Sequence, residues 1–219
     1  MALAIADAGA NVALTGRDAA SLERTAIDIR AIGRQAWPLQ ADMSEPAACE
    51  AACARALTEH GPFDILINNI GGRRDPTPIR DMPVERWREL MDLNLTSTFV
   101  CTKVIGGAMV DRGEGGRVIN IASINAFVAG QNIGGRHYET AKGAVVQLTR
   151  ATAADWAPYG VTVNAICPGV FMTEPNCAGH GSDPRSSTAL RTARPWQVLA
   201  SQRISGRLPS TWRAMRRAS

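Results

Sequence analysis

The sequence is poor in aromatic residues, in histidine and in cysteines that could pair. Phe, Trp and Tyr together make up 5% of the 219 residues, and three residues are His. The five cysteines are odd in number, and Cys49 with Cys53 lacks a second ligand pair at the spacing of a zinc site. We therefore expect reduced structural thiols and no metal site.

No targeting segment or long apolar run is apparent. The stretch Met1–Ala6 is apolar, but Asp7 follows too soon for the hydrophobic region of a signal peptide, and no basic residues precede it. The composition is 45% apolar and 20% charged, which is typical of one globular domain with a sizeable core. We expect a cytoplasmic protein with no membrane partner.

The net charge of +4 comes from one end of the chain. Residues 176–219 hold eight Arg and Asp183, a charge of 8 − 1 = +7, so residues 1–175 carry 16 − 19 = −3. This basic segment lacks a sustained period of two or 3.6 residues and regularly spaced aromatics that could stack on bases. We therefore expect no nucleic-acid partner, although the composition alone would favour one.

Helical and strand patterns alternate up to about residue 175. This order predicts an α/β fold with a doubly wound parallel sheet, in which ligands bind at the carboxyl ends of the strands. The predicted helices are Ala2–Ala8, Ala19–Ile32, Glu45–His60, Val84–Leu90, Asp92–Met109 and a helix from near Tyr138 to Trp156, and the strands are Asn11–Thr15, Gln35–Gln40, Phe63–Ile67, Gly116–Ser123 and Val161–Gly169.

Tyr138 and Lys142 lie four residues apart at the start of a predicted helix. Positions i and i+4 share a helix face, so the ammonium group can sit beside the phenol. A nearby cation favours the charged form of a phenol, and a phenol so placed can act in proton transfer near neutral pH. Taken alone, the pair favours the alternative of a half-buried tyrosine beside a solvated lysine.

Other motifs accompany this pair in a definite order. Asn68-Asn69-Ile70-Gly71 follows one strand, Asn94 lies in a helical run, Ser123 ends a strand, and Asn164 precedes Pro168-Gly169. In this order, and over residues 2–175, the chain resembles the short-chain dehydrogenase/reductase family through its NNAG, catalytic Asn, Ser, YxxxK and N-x-x-x-PG motifs. The chain has Ile70 where the family usually has Ala.

The resemblance implies a Rossmann-type fold and hydride transfer between NADP(H) and a carbonyl or secondary alcohol. Tyr138 would be the general acid/base, Lys142 would favour its phenolate and hold the nicotinamide ribose, Ser123 would bond the substrate carbonyl, and Asn94 would order a proton-relay water. The implied contacts of the cofactor are Tyr138, Lys142, Asn68, Gly71, Pro168, Gly169 and Thr173.

Two residues near strand ends bear on the choice of cofactor. A cation at the end of the Asn11–Thr15 strand would pair with the 2′-phosphate of NADP, so Arg17 favours NADP over NAD. The alternative is a solvated loop arginine beside Asp18. In the family, an acid at the position of Asp42 approaches the adenine; Asp42 could also act as a helix cap.

The family's opening strand, its TGxxxGIG turn and its last strand are not legible in the sequence. With the strand order 3-2-1-4-5-6-7, the neighbours of the first strand would lie about 9.6 Å apart and unpaired, so we expect an unstable chain in which the family's homo-oligomer is doubtful. The sequence thus predicts a truncated dinucleotide-binding domain at 1–175 and a disordered, out-of-frame basic tail at 176–219. The alternative to the enzyme is a frameshifted, non-catalytic fragment of one.

Overall fold

The computed structural model describes residues 1–72, 75–129 and 135–169. The predicted cofactor contact Thr173 and the segment 176–219 lie outside these residues. Within the described part of the chain, helices and strands alternate as the sequence predicts, and the predicted boundaries differ from the observed ones by at most three residues.

The first two strands form a small parallel sheet. Helix α1 (Ala2–Asp7) leads to strand β1 (Val12–Gly16), and helix α2 (Ala19–Ala31) leads to strand β2 (Ala36–Gln40), which pairs in parallel with β1. Gly9 follows α1 with a φ of 108°, a conformation that favours glycine at a helix end. The core of this part consists of mostly small side chains: Ala6, Ala26, Ile29 and Ala36.

A long helical run follows helix α3 (Pro46–His60) and strand β3 (Ile65–Asn68). It extends over Val84–Arg112 without a break, whereas the sequence pattern predicts two separate helices. Two of its turns are π-helical, a form that is often found at functional sites. In order, its parts are α4 (Val84–Met91), a π turn (Asp92–Thr96), α5 (Ser97–Cys101), a second π turn (Thr102–Gly106) and α6 (Gly107–Arg112).

The long run Val84–Arg112 is also apolar enough, by length and composition, to cross a membrane. However, 56% of its most apolar window is buried inside the protein, as expected for a core helix. Val100 is part of the core and Val104 packs against it, whereas the Phe99 side chain is about half exposed.

The remaining strands form a second parallel sheet in the order β3-β4-β5. Strand β4 spans Gly116–Ile121, and helix α7 (Arg136–Trp156) connects it to strand β5 (Val161–Ile166). The register places Gly116 opposite Val161. Because all pairings are parallel, the carboxyl ends of β3, β4 and β5 lie at the same edge of this sheet.

The two sheets are not hydrogen-bonded to each other within the described residues. Strands β1 and β3 each have a strand partner on one side, and the side chain of Ile65 on β3 is 44% exposed. Strands inside a doubly wound sheet are usually buried on both faces. The predicted parallel α/β fold is confirmed, and its sheet is divided where the expected strand order places the first strand.

A chain of buried amides and hydroxyls connects the second sheet to its helices. The Asn68 side-chain nitrogen donates to Thr102 Oγ1 (3.0 Å) and to Asn120 Oδ1 (2.8 Å), and the Asn120 nitrogen donates to Thr149 Oγ1 (2.9 Å). The four residues lie on β3, the second π turn, β4 and α7. Buried hydrogen bonds of this kind fix the relative positions of the elements that carry them, although Asn68 Oδ1 has no hydrogen-bond partner among the described residues.

Candidate active site

Lys142 lies on α7 one turn after Tyr138, and its side chain is 4% exposed. Its Nζ donates to the carbonyl of Ile121 (2.8 Å) and to that of Ile70 (3.4 Å), and it lies 5.8 Å from the centre of the Tyr138 ring. Burial lowers the pKa of Lys142 from 10.5 to about 8, against an opposing effect of Cys167. The alternative of a solvated lysine is therefore wrong.

Asn94 occupies the first π turn and is fully buried. Its Nδ2 donates to the Leu90 carbonyl (2.9 Å), and its Oδ1 accepts from the backbone N–H of Gly72 (2.8 Å). Gly71 has a φ of 129°, and a Cβ added there would lie 2.7 Å from Asn94 Oδ1 and 3.1 Å from Lys142 Nζ. The loop after β3 therefore contacts both predicted catalytic residues, at a position that requires glycine.

Ser123 follows β4 in extended conformation and is 8% exposed. Its Oγ accepts from the backbone N–H of Asn125 (3.2 Å), and the Pro168 carbonyl accepts from the N–H of Ile124 (2.9 Å). The bond between Ile124 and Pro168 holds the segments after β4 and β5 together. Among the described residues, no heavy atom lies within 4 Å of a Cβ added at Gly169.

Cys167 is a residue of this region that the motifs did not single out. Its thiol is half-buried and accepts a hydrogen bond from the backbone of Ser123. It also lies close enough to Lys142 for each group to influence the pKa of the other. Burial raises the pKa of the Cys167 thiol, and the contacts with Ser123 and Lys142 oppose this effect. The sequence feature that could have pointed to Cys167 as a residue of this site is its position directly before Pro168-Gly169.

The residues predicted to choose the cofactor lie at the carboxyl ends of β1 and β2. They border a cavity of about 180 Å³ that also reaches the loop after β3. The cavity is lined by Thr15, Gly16, Arg17, Ala41, Asp42, Met43, Ser44, Ile70, Gly71 and Leu93.

Arg17 is exposed at the cavity, and its carbonyl accepts from Gln40 Nε2 (3.0 Å). Asp42 Oδ1 accepts from the backbone N–H (3.0 Å) and the hydroxyl (2.7 Å) of Ser44. The N-cap of α3 is Glu45, so the alternative that Asp42 caps this helix is wrong; Asp42 closes a tight turn instead. Asp18 does cap a helix, since its Oδ1 accepts from the N–H of Ala20 in α2 (3.1 Å).

Asn68 differs from the other predicted cofactor contacts because its side-chain nitrogen is already used inside the core, in the bonds to Thr102 and Asn120.

The structure brings Asn94, Lys142, Tyr138 and Gly71 together at the carboxyl edge of β3 and β4. Arg17 and Asp42 lie across the cavity, at the end of the other sheet.

In a doubly wound α/β fold, ligands bind at the carboxyl ends of the strands, and dinucleotide-dependent enzymes are one class that uses this site. The family model described as short chain dehydrogenase matches residues 1–178. The chain belongs to this family.

Relatives support the assignment at the level of sequence and of structure. The 2-dehydro-3-deoxy-D-gluconate 5-dehydrogenase of Dickeya dadantii is 34% identical over 173 residues, which are 79% of this chain and 66% of that protein. A gluconate 5-dehydrogenase of Burkholderia cenocepacia, solved with NADP and tartrate, is 34% identical with a TM-score of 0.76 over 86% of this chain and 73% of that one. An acetoin dehydrogenase of Enterobacter cloacae has a TM-score of 0.78 at 29% identity, over 89% and 76% of the two chains.

The chain spans about two thirds of the length of curated relatives such as the Dickeya protein. The activity of a complete family member is therefore a matter of proposal for this chain.

Proposed function

We propose that the chain is the catalytic part of an oxidoreductase that transfers a hydride between NADP(H) and a small carbonyl compound or secondary alcohol. The observation that carries the proposal is the environment of Lys142. Its buried ammonium group donates to the Ile70 and Ile121 carbonyls and lies beside Tyr138 and Asn94. Burying a cation is costly unless it is paired and hydrogen-bonded, and lysines with perturbed pKa values concentrate at functional sites.

The roles proposed for the residues are those that the family resemblance implies. Tyr138 exchanges a proton with the substrate oxygen, and Lys142 holds the nicotinamide ribose of the cofactor. Ser123 orients the substrate oxygen from the end of β4. Asn94, fixed by Leu90 and Gly72, orders a water that passes protons onward.

The cavity at the ends of β1 and β2 fits part of a dinucleotide. Gly16 and Gly71 leave its wall free of side chains at two points, and Arg17 adds a positive charge at its rim. Bound NADP would supply or accept the hydride. Arg17 would pair with its 2′-phosphate and Asp42 would approach the adenine, while Pro168, Gly169 and Thr173 would line the nicotinamide end. NAD is the alternative cofactor.

We further propose that the chain as written is impaired, because strands β1 and β3 are unpaired on one side within the described residues. The division into a domain at 1–175 and an out-of-frame basic tail at 176–219 also remains a proposal.

The test compares three proteins: the 219-residue chain, a version extended before Met1 by a strand and glycine-rich turn of a family member, and the extended version with Tyr138→Phe. The extended version should reduce carbonyl compounds with NADPH. Tyr138→Phe should lower its turnover at least ~10²-fold while NADPH still binds. The 219-residue chain should show no rise in melting temperature with NADPH. Unchanged turnover in Tyr138→Phe would contradict the catalytic assignment, and a clear NADPH-dependent rise in the 219-residue chain would contradict the impairment.

A further inference from the structure

Three cysteines from two helices converge in the core. Cys101 Sγ on α5 lies 3.4 Å from Cys49 Sγ and 3.6 Å from Cys53 Sγ, both on α3. All three sulfur atoms lie within 4.8 Å of one another, and all three residues are buried. Cys49 and Cys53 share one face of α3 because they are four residues apart, and Cys101 meets that face from a position 48 residues further on.

The spacing of these sulfur atoms is that of ligands around one metal ion. A Zn–S bond is about 2.3 Å long, so the sulfur atoms of a tetrahedral site lie roughly 3.8 Å apart. The distances of 3.4 and 3.6 Å are close to this value. The Ser97 carbonyl oxygen lies 3.7 Å from Cys49 Sγ and adds an oxygen donor at a similar distance.

We propose that Cys49, Cys53 and Cys101 form a binding site for a thiophilic divalent ion of the zinc class, with the Ser97 carbonyl as fourth donor. On binding, each thiol loses its proton to solvent and forms one metal–sulfur bond, with no change of oxidation state. Three thiolates and a divalent ion leave a net charge of −1 in a core that also contains Val100 and Ile105. A monovalent soft ion would leave −2, which is more costly to bury, so the divalent ion is favoured.

The position of the site gives it a structural effect. Helix α3 follows β2, whereas α5 lies between β3 and β4 along the chain, and the core around the cysteines includes Val118 of β4 and Val161 of β5. An ion bound by both α3 and α5 would therefore link α3, the helix that follows the first sheet, to the core of the second sheet. Because a ligand that binds the folded state stabilises it, the ion should raise the melting temperature.

The experiment uses Cd²⁺ as the probe, because its bonds to thiolates give an ultraviolet charge-transfer band. The full 219-residue chain and its extended version are titrated after reduction with a phosphine, and the number of bound ions is read by native mass spectrometry. The matched control is Cys167→Ser with Cys177→Ser, which removes the half-buried thiol at the active site and the one outside the described residues. This control should bind one ion with the band intact.

Cys101→Ser and Cys53→Ala should each lose the band and weaken binding at least ~10-fold, which is the lower end of the loss caused by mutating even an outer-shell partner of a metal site. Far-ultraviolet circular dichroism identifies any variant that fails to fold. If one of the two variants fails to fold, metal binding by the other one tests the proposal. Zn²⁺ should raise the melting temperature of the control but not that of the variants. Absence of the band in the control, or an equal band in Cys101→Ser, would overturn the proposal. So would a disulfide among the three cysteines that persists under the reducing conditions.

Discussion

Replacing Gly71 by alanine tests whether the loop after β3 sets the geometry of the active site. The new Cβ would lie 2.7 Å from Asn94 Oδ1, whereas ordinary contacts begin at 3.4 Å, so the two groups must separate by about 0.7 Å. Lys142 Nζ, at 3.1 Å from the same Cβ, must also shift. A misplacement of ~1 Å at a catalytic group can cost on the order of 10²-fold in rate, so we expect a loss of turnover between about 10-fold and 10²-fold.

Gly9→Ala is the matched control for this change. Gly9 has a φ of 108°, comparable with the 129° of Gly71, but a Cβ at Gly9 would meet no atom within 4 Å. Both variants should lose about 1–3 kcal/mol of stability from backbone strain alone. Gly71→Ala carries the steric cost in addition.

The assay measures turnover with saturating NADPH, and stability by urea unfolding, in the extended version of the chain. Gly9→Ala should lose stability and keep its turnover below the temperature of unfolding. If Gly71→Ala has the same turnover as Gly9→Ala, then Asn94 and Lys142 do not depend on this contact and the reasoning is refuted.

Two further predictions concern charge. Arg17→Ala should weaken NADPH binding by about 1.5–3 kcal/mol and leave NADH nearly unchanged, whereas Arg24→Ala on α2 should affect neither; equal losses for both cofactors in a titration would contradict the role of Arg17. Burial lowers the pKa of Lys142 from 10.5 to about 8. Between these two pH values the unfolded chain therefore binds more protons than the folded chain. The contribution of Lys142 to the free energy of unfolding should thus rise with pH from 8 to 10.5. In urea unfolding, the free energy of unfolding of the protein with Lys142 should increase by up to about 3 kcal/mol between pH 8 and 10.5, relative to that of the Lys142→Met variant. A difference between the two proteins that does not change with pH would show that the ammonium group is solvated.

Much of the fold could be predicted because its helices and strands are regular. Apolar periodicity located α2, α3 and α7 to within one or two residues, and the four-residue spacing placed Tyr138 and Lys142 together. The π turns were missed because a short apolar pattern does not distinguish one helix with an extra residue in a turn from two separate helices.

Contacts between distant segments were beyond the sequence patterns. The pair Cys49 and Cys53 gave no sign of Cys101, because the third thiol joins them only through the packing of α5 on α3. Asp42 was considered as a helix cap because capping and turn-forming carboxylates occur in the same sequence context, and only the bonds to Ser44 distinguish them.

The buried chain of Asn68, Asn120, Thr102 and Thr149 makes these four positions interdependent in evolution. Replacing one amide by an apolar residue leaves its partner buried without a hydrogen bond, at a cost of about 1–3 kcal/mol, whereas replacing both partners together can be nearly neutral. Changes at these positions should therefore occur in pairs during sequence divergence. Thr102, Asn120 and Thr149 lie on the helical run, the strand and the helix that carry or precede Asn94, Ser123 and Tyr138. Changes in this buried chain should therefore affect the alignment of the predicted catalytic groups.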